Sequence, residues 1–122
     1  EDKKLSAGVG LYKGSVKKDF VSYAMPQESS NKTEVRWMEL KNNKGKGFKI
    51  KGKNLLSMSA LPYSQKDLQW ARHTYDLQEK GLVNLNIDLI QMGLGGDNSW
   101  SPSGEPHKQF MLKEKKYTYS FT

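Results

Sequence analysis

The chain contains no cysteine. That excludes a disulfide framework, a thiolate metal site and a cysteine nucleophile, while leaving the redox compartment open. Arginine is almost as scarce: of 20 basic residues only Arg36 and Arg72 are arginine, and the rest are lysine. Nucleic-acid readers favour the planar guanidinium fork that pairs with phosphates and guanine edges, so the composition argues against a nucleic-acid partner. No apolar run reaches the roughly 18 residues of a membrane-spanning helix, and no membrane partner is expected. The first residues, Glu1-Asp2-Lys3-Lys4, are followed by no apolar segment of the signal-peptide kind. The lack of an initiator Met points to a piece of a longer chain or a processed one. Histidine is limited to His73 and His107, which have no spacing partner. Both read as ordinary polar residues, not as metal ligands or bases.

What remains is polar yet foldable. The 122 residues carry a formal charge of +7, and 11% are aromatic, enough rings to close the core of a single domain spanning 1–122. Mean hydropathy is −0.81, low for a globular chain. The densest basic stretch, Lys41, Lys44, Lys46, Lys49, Lys51 and Lys53, alternates with Phe48 and Ile50. Such a pattern gives a strand one apolar face and one solvated face, and wet-face lysines discourage edge pairing.

Period-two alternation recurs along the chain. Val83, Leu85, Ile87 and Leu89 alternate with Asn84, Asn86 and Asp88, which predicts a half-buried strand. Val35 and Trp37 alternate with Arg36 and Met38, and Tyr117, Tyr119 and Phe121 with Thr118 and Ser120. Residues Leu55 to Ala60 form another expected strand, and Asn42-Asn43-Lys44-Gly45-Lys46-Gly47 reads as a hairpin turn. Ser64 followed three residues later by Asp67 suits a helix start, and a short helix is predicted over 65–72. After Leu89, six glycines and prolines up to Pro106 mark a long irregular loop. Many short strands, one short helix and one long loop predict an all-β, antiparallel β-sandwich.

Several catalytic patterns fail on their details. Gly47-Phe48-Lys49-Ile50-Lys51-Gly52-Lys53 has P-loop spacing, but Asn54 stands where a Ser or Thr should follow, and the segment alternates like a strand. Gly93-Leu94-Gly95-Gly96-Asp97 lacks the third glycine of a dinucleotide loop, and Pro102 and Pro106 block the helix that should follow. No serine sits in a nucleophile elbow, and nothing singles out a pair among the 13 acidic residues. Trp37 is expected in the core on its strand, and Trp70 is expected to pack the helix onto the sheet. Trp100 lies in Gly-Gly-Asp-Asn-Ser-Trp-Ser-Pro, where no periodicity buries it. Its indole either stacks on a sugar ring or plugs the end of the sandwich.

Read together, the motifs follow a known order. Met25-Pro26-Gln27-Glu28 and Asn31-Lys32-Thr33-Glu34-Val35-Arg36-Trp37 resemble the Pro-Gln-Glu-Asn-Gly…Arg-Thr-Asp-Val-Arg-Trp segment of large bacterial β-galactosidases, members of glycoside hydrolase family two. Ser59-Ala60-Leu61-Pro62-Tyr63-Ser64 with Asp67-Leu68, then Ala71-Arg72-His73-Thr74-Tyr75-Asp76-Leu77, resemble two further segments of that family. Leu85-Asn86-Ile87-Asp88, the run from Gln91 to Pro102, and the aromatic tail complete the similarity from about Val9 to Phe121. Ser29-Ser30 replaces the family's Asn-Gly.

The resemblance implies the C-terminal segment of a longer β-galactosidase, within a β-sandwich of the galactose mutarotase-like, supersandwich type. The catalytic glutamates would lie in another domain, and the chain's own catalytic residues would be none. No cofactor is implied here, with magnesium and sodium expected in other domains of the full enzyme. The substrate-binding positions implied are Trp100, Asp97, Asn98 and Ser99, on a loop at the active-site mouth beside the leaving-group sugar. Expected partners are the other domains of the same chain, a galactoside, and further copies in a homo-oligomer. The compartment expected is the cytoplasm, with the periplasm as alternative. The rival function is an autonomous carbohydrate-binding module using Trp100 and Tyr63.

Overall fold

A computed structural model describes residues 8–22, 30–92, 95–98 and 100–122. The fold is all-β, built on one antiparallel sheet of three strands in the order β1-β2-β3. Strand β1 spans Lys32–Lys41, β2 Gly47–Leu61 and β3 Asn84–Asp88. Among the described residues, two short α-helices lie outside the sheet: α1 (Val16–Asp19) and α2 (Gln65–Trp70). The sequence reading anticipated only the second.

The β1–β2 hairpin forms where its turn chemistry directs. Asn42 Oδ1 accepts from the Lys44 and Lys46 amides at 2.9 and 3.0 Å. Gly45 adopts φ +75°, a left-handed conformation that favours glycine. The supposed P-loop, Gly47 to Lys53, is the start of β2 and pairs with β1 and the chain's last residues.

The 15-residue β2 is the centre of the sheet and longer than the expected 55–60 strand. β1 pairs with it from Gly47 to Met58, and β3 pairs with it from Ser57 to Leu61. Leu56, Met58 and Ile50 are buried from this strand, with Val35, Met38, Leu85, Ile87 and Leu89 packed against them. Ser57 and Ser59 are buried as well, and Ser59 Oγ accepts from Asn86 Nδ2 at 2.9 Å.

Two expectations for tryptophan are corrected. Trp37 is 41% exposed, not in the core. The register of β1 against β2 slips between Lys32 and Val35 and again between Val35 and Trp37, and Glu34 has φ +54°. Each irregularity breaks the period of two, so that Val35 and Met38, not Val35 and Trp37, meet the core. Trp37 instead lies under the Lys49 ammonium, 4.2 Å from its ring centre. Trp70 is 74% exposed and packs no helix onto the sheet. It is the last residue of a helix that ends at Trp70 because Ala71 is already extended (φ −68°, ψ 130°), two residues before the expected end.

The aromatic tail also differs from an extended strand. Phe121 forms one bridge to Gly52, and Lys51 and Thr122 exchange two backbone hydrogen bonds of 2.8 and 3.0 Å. The tail thus lies beside the first part of β2, and β3 beside the second.

Much apolar surface is left uncovered. Leu55, Leu82, Val83, Ile90, Met92, Phe110 and Met111 are among the exposed large side chains.

Candidate functional site

The loop that carries Trp100 leaves the sheet after β3 and returns as the C-terminal tail. Both of its ends are tied to the sheet. Near the exit, Asn31 Nδ2 donates to Gln91 Oε1 at 3.0 Å. Near the return, the Tyr119 hydroxyl donates to the Ile87 carbonyl at 2.9 Å.

Within the loop the backbone folds back on itself. The Gly96 amide donates to the Gly104 carbonyl at 3.0 Å, and the Asp97 amide to the Ser103 carbonyl at 2.7 Å. The two arms approach so closely at Gly96 that a Cβ there would collide with the carbonyl oxygens of Ser103 and Glu105. Glycine is needed at this position for lack of room, not for a special φ.

The turn between the arms is built by side chains. Asn98 Oδ1 accepts from the Trp100 amide (3.1 Å), the Ser101 amide (3.0 Å) and the Ser101 hydroxyl (3.0 Å). Ser101 Oγ in turn accepts from the Ser103 amide at 3.2 Å and caps a 3-10 turn over Pro102–Gly104. Asparagine and serine do this because their short side chains reach amides two or three residues on. Proline suits the first position of the turn, where no amide is needed.

The result is a hydrogen-bonded turn that displays an indole: Trp100 is 84% exposed. Asn98, expected at the sugar, spends its carbonyl oxygen inside the turn. Asp97 is exposed, and its Oδ1 lies 2.9 Å from His107 Nε2. Ser99, like Met25 to Glu28 of the first resembled motif, lies outside the described residues. An open cleft of about 560 Å³ flanks the loop and is lined by Asp97, Pro102, Ser103, Glu105, His107 and Met111 among others, but not by Trp100.

His107 was read from the sequence as an ordinary polar residue. Its approach to Asp97 joins residues ten apart, a distance at which no helical or strand period signals contact. The available hint was its place directly after Pro106, in a segment where two prolines force the chain to turn back. Elsewhere, Asp67 at the start of α2 accepts from Lys80 Nζ (2.7 Å) and the Ser64 hydroxyl (2.6 Å). The Lys80 ammonium, and then the Ser64 hydroxyl, hold its carboxyl below the ordinary carboxylate range. That pair stabilises the helix and lies outside the loop.

No group of three His, Asp or Glu side chains is placed to hold a metal ion among the described residues. No helix there is long and apolar enough to cross a membrane.

Comparison with known proteins settles the family. A family model described as beta galactosidase small chain matches residues 1–122. The chain belongs to that family. The beta-galactosidase of Priestia megaterium (strain DSM 319 / IMG 1521) is 40% identical over 121 residues, covering 99% of this chain. The beta-galactosidase of Streptococcus thermophilus is 37% identical over 123 residues, and that of Pseudoalteromonas haloplanktis 33% over 121, covering 98% and 99% of this chain. The chain spans only 11 to 12% of the length of these relatives. The similarity first read from separate motifs is therefore borne out across the chain.

Proposed function

We propose that this small-chain segment is a non-catalytic part of a retaining β-galactosidase that hydrolyses terminal β-D-galactosides such as lactose. The two carboxylates of that reaction, acid/base and nucleophile, would come from another domain of the same protein. The segment would contribute the Trp100 loop to the mouth of the active site. There the indole would stack on the leaving-group sugar, with Asp97, Asn98 and Ser99 completing that subsite and Asn98 shaping its turn. Holding the leaving sugar in one orientation favours the reactive geometry and so the chemical step.

The observation that carries this reading is an 84% exposed tryptophan on a loop whose turn is stiffened by its own hydrogen bonds. An indole so displayed offers a flat apolar face at little entropic cost, the property a sugar ring requires. Family membership supports a galactoside as the sugar read at that face. Magnesium and sodium, if used by the full protein, would be held outside this segment.

The uncovered apolar surface supports the architectural half of the proposal. The three-stranded sheet would be one part of a β-sandwich of the galactose mutarotase-like type, whose opposite layer comes from other sequence of the full protein. Exposed large side chains such as Leu55, Leu82, Val83, Ile90 and Met92 would be covered in such packing. Homo-oligomerisation of the segment would follow from pairing between copies of sheet edges left without their neighbours, and its location would be cytoplasmic.

The test is Trp100→Ala in the full-length protein. Its kcat/KM on lactose should fall by roughly three- to tenfold, from loss of one aromatic stacking contact. Its kcat/KM on a small aryl galactoside should fall less. Equal losses on the two substrates would overturn the assignment of Trp100.

A further inference from the structure

Two backbone hydrogen bonds close the Trp100 loop between residues 96–97 and 103–104. A third link lies outside them. His107 Nε2 stands 2.9 Å from Asp97 Oδ1, so a side chain beyond the returning arm grips the residue at the base of the turn. Pro106 fixes the backbone angle just before His107, and Pro102 does the same at the start of the 3-10 turn. With those constraints the imidazole stays near the carboxylate without ordering a long flexible segment. The Asp97 carboxylate accepts, and His107 donates from Nε2 either as the neutral Nε2–H tautomer or as imidazolium. Glu105 and Lys108 line the same cleft and are the other charged groups beside the pair.

We infer that His107 is a positioning residue for the Trp100 loop: through Asp97 it clasps the base of the loop and so fixes how the indole is presented. Its consequence for catalysis rests on the proposed contact between Trp100 and the leaving-group sugar; the clasp itself does not. It also assigns Asp97 a second task, since the oxygen facing His107 is engaged by the loop and not by the sugar. Both side chains are more than half exposed, 52% for His107 and 69% for Asp97. An exposed pair of this kind shifts an equilibrium by about two- to fivefold and no more.

The test compares His107→Ala with His107→Gln in the full-length protein. Glutamine carries an amide nitrogen close to the place of Nε2 and can still donate to Asp97. Hydrogen exchange of the peptide containing the Gly96 and Asp97 amides reads the clasp directly. His107→Ala should speed that exchange by about two- to fivefold, and His107→Gln should restore it. In parallel, His107→Ala should raise KM for lactose by a similar factor, and more than it raises KM for an aryl galactoside. Unchanged exchange in His107→Ala, or exchange in His107→Gln as fast as in the alanine variant, would overturn the clasp. Trp100→Ala separates the two ideas. If it lowers lactose use while His107→Ala leaves lactose KM unchanged, the positioning role is wrong and the sugar contact stands. If Trp100→Ala affects both substrates equally, the sugar contact is wrong, and exchange alone decides the clasp.

Discussion

Gly95 and Gly96 are adjacent, yet alanine should affect them very differently. A Cβ on Gly95 would meet nothing within 4 Å, and its backbone angle is not one that disfavours a side chain. A Cβ on Gly96 would strike the carbonyl oxygens of Ser103 and Glu105, which are backbone atoms and cannot swing aside. Relief requires the two arms to separate, which stretches the Gly96–Gly104 and Asp97–Ser103 hydrogen bonds together. Losing two such bonds costs about 1–3 kcal/mol, and the overpacking itself adds a similar amount if the arms resist. The closed loop should therefore lose about tenfold or more in population, since about 1.4 kcal/mol is a factor of ten. Hydrogen exchange at Asp97 should quicken accordingly in Gly96→Ala, and use of lactose should fall more than use of an aryl galactoside. Gly95→Ala should match the parent within about 0.5 kcal/mol. Equal behaviour of the two variants would refute the close approach of the arms and, with it, the ordered loop.

Other outcomes follow from the sheet and from α2. Met58 is fully buried in the small cluster of β2, so Met58→Ala should lower stability by about 2–5 kcal/mol, read as a shift in the denaturation midpoint, whereas Phe48→Ala at a half-exposed site should cost far less. Ser64→Ala should cost about 1 kcal/mol and raise amide exchange at Asp67, whose N–H donates to Ser64 Oγ at 3.1 Å. The lowered pKa of Asp67 sets a pH dependence: its folded-state pKa lies below the unfolded one. The stabilisation is thus complete above the ordinary carboxylate range near about 4 and is lost as pH falls through the folded value. Protection of α2 should decline in acid for the parent, and Asp67→Asn should remove that dependence; an unchanged acid profile in Asp67→Asn would contradict it.

Local chemistry was legible in the sequence, and long-range geometry was not. The hairpin at Asn42–Gly47 and the Ser64 start of α2 depend on residues within a few positions, and strand β3 carries its own period-two alternation, although its partner β2 is distant in sequence. Alternation carries no sign of a bulge, and the register slip between Val35 and Trp37 reverses the phase after Val35, so Trp37 does not share the face of Val35. The aromatic tail alternates cleanly, yet only its last residues meet β2, through the Phe121–Gly52 bridge and the backbone hydrogen bonds of Thr122 and Ser120. At the candidate site the sequence singled out Trp100 by what it lacked, a periodicity to bury it. The Asn98 contacts span only two or three residues and belong to the local turn chemistry of asparagine, whereas His107 meets Asp97 ten residues away, a contact that depends on how the loop folds back.

The most direct measurement uses antibodies raised against this chain on a lysate of the source cells. Blotting should reveal a species several times heavier than 13.9 kDa. Immunodepletion should remove β-galactosidase activity together with that species. A band near 13.9 kDa, with the activity left in the supernatant, would contradict the account and leave a free-standing carbohydrate-binding module as the better reading.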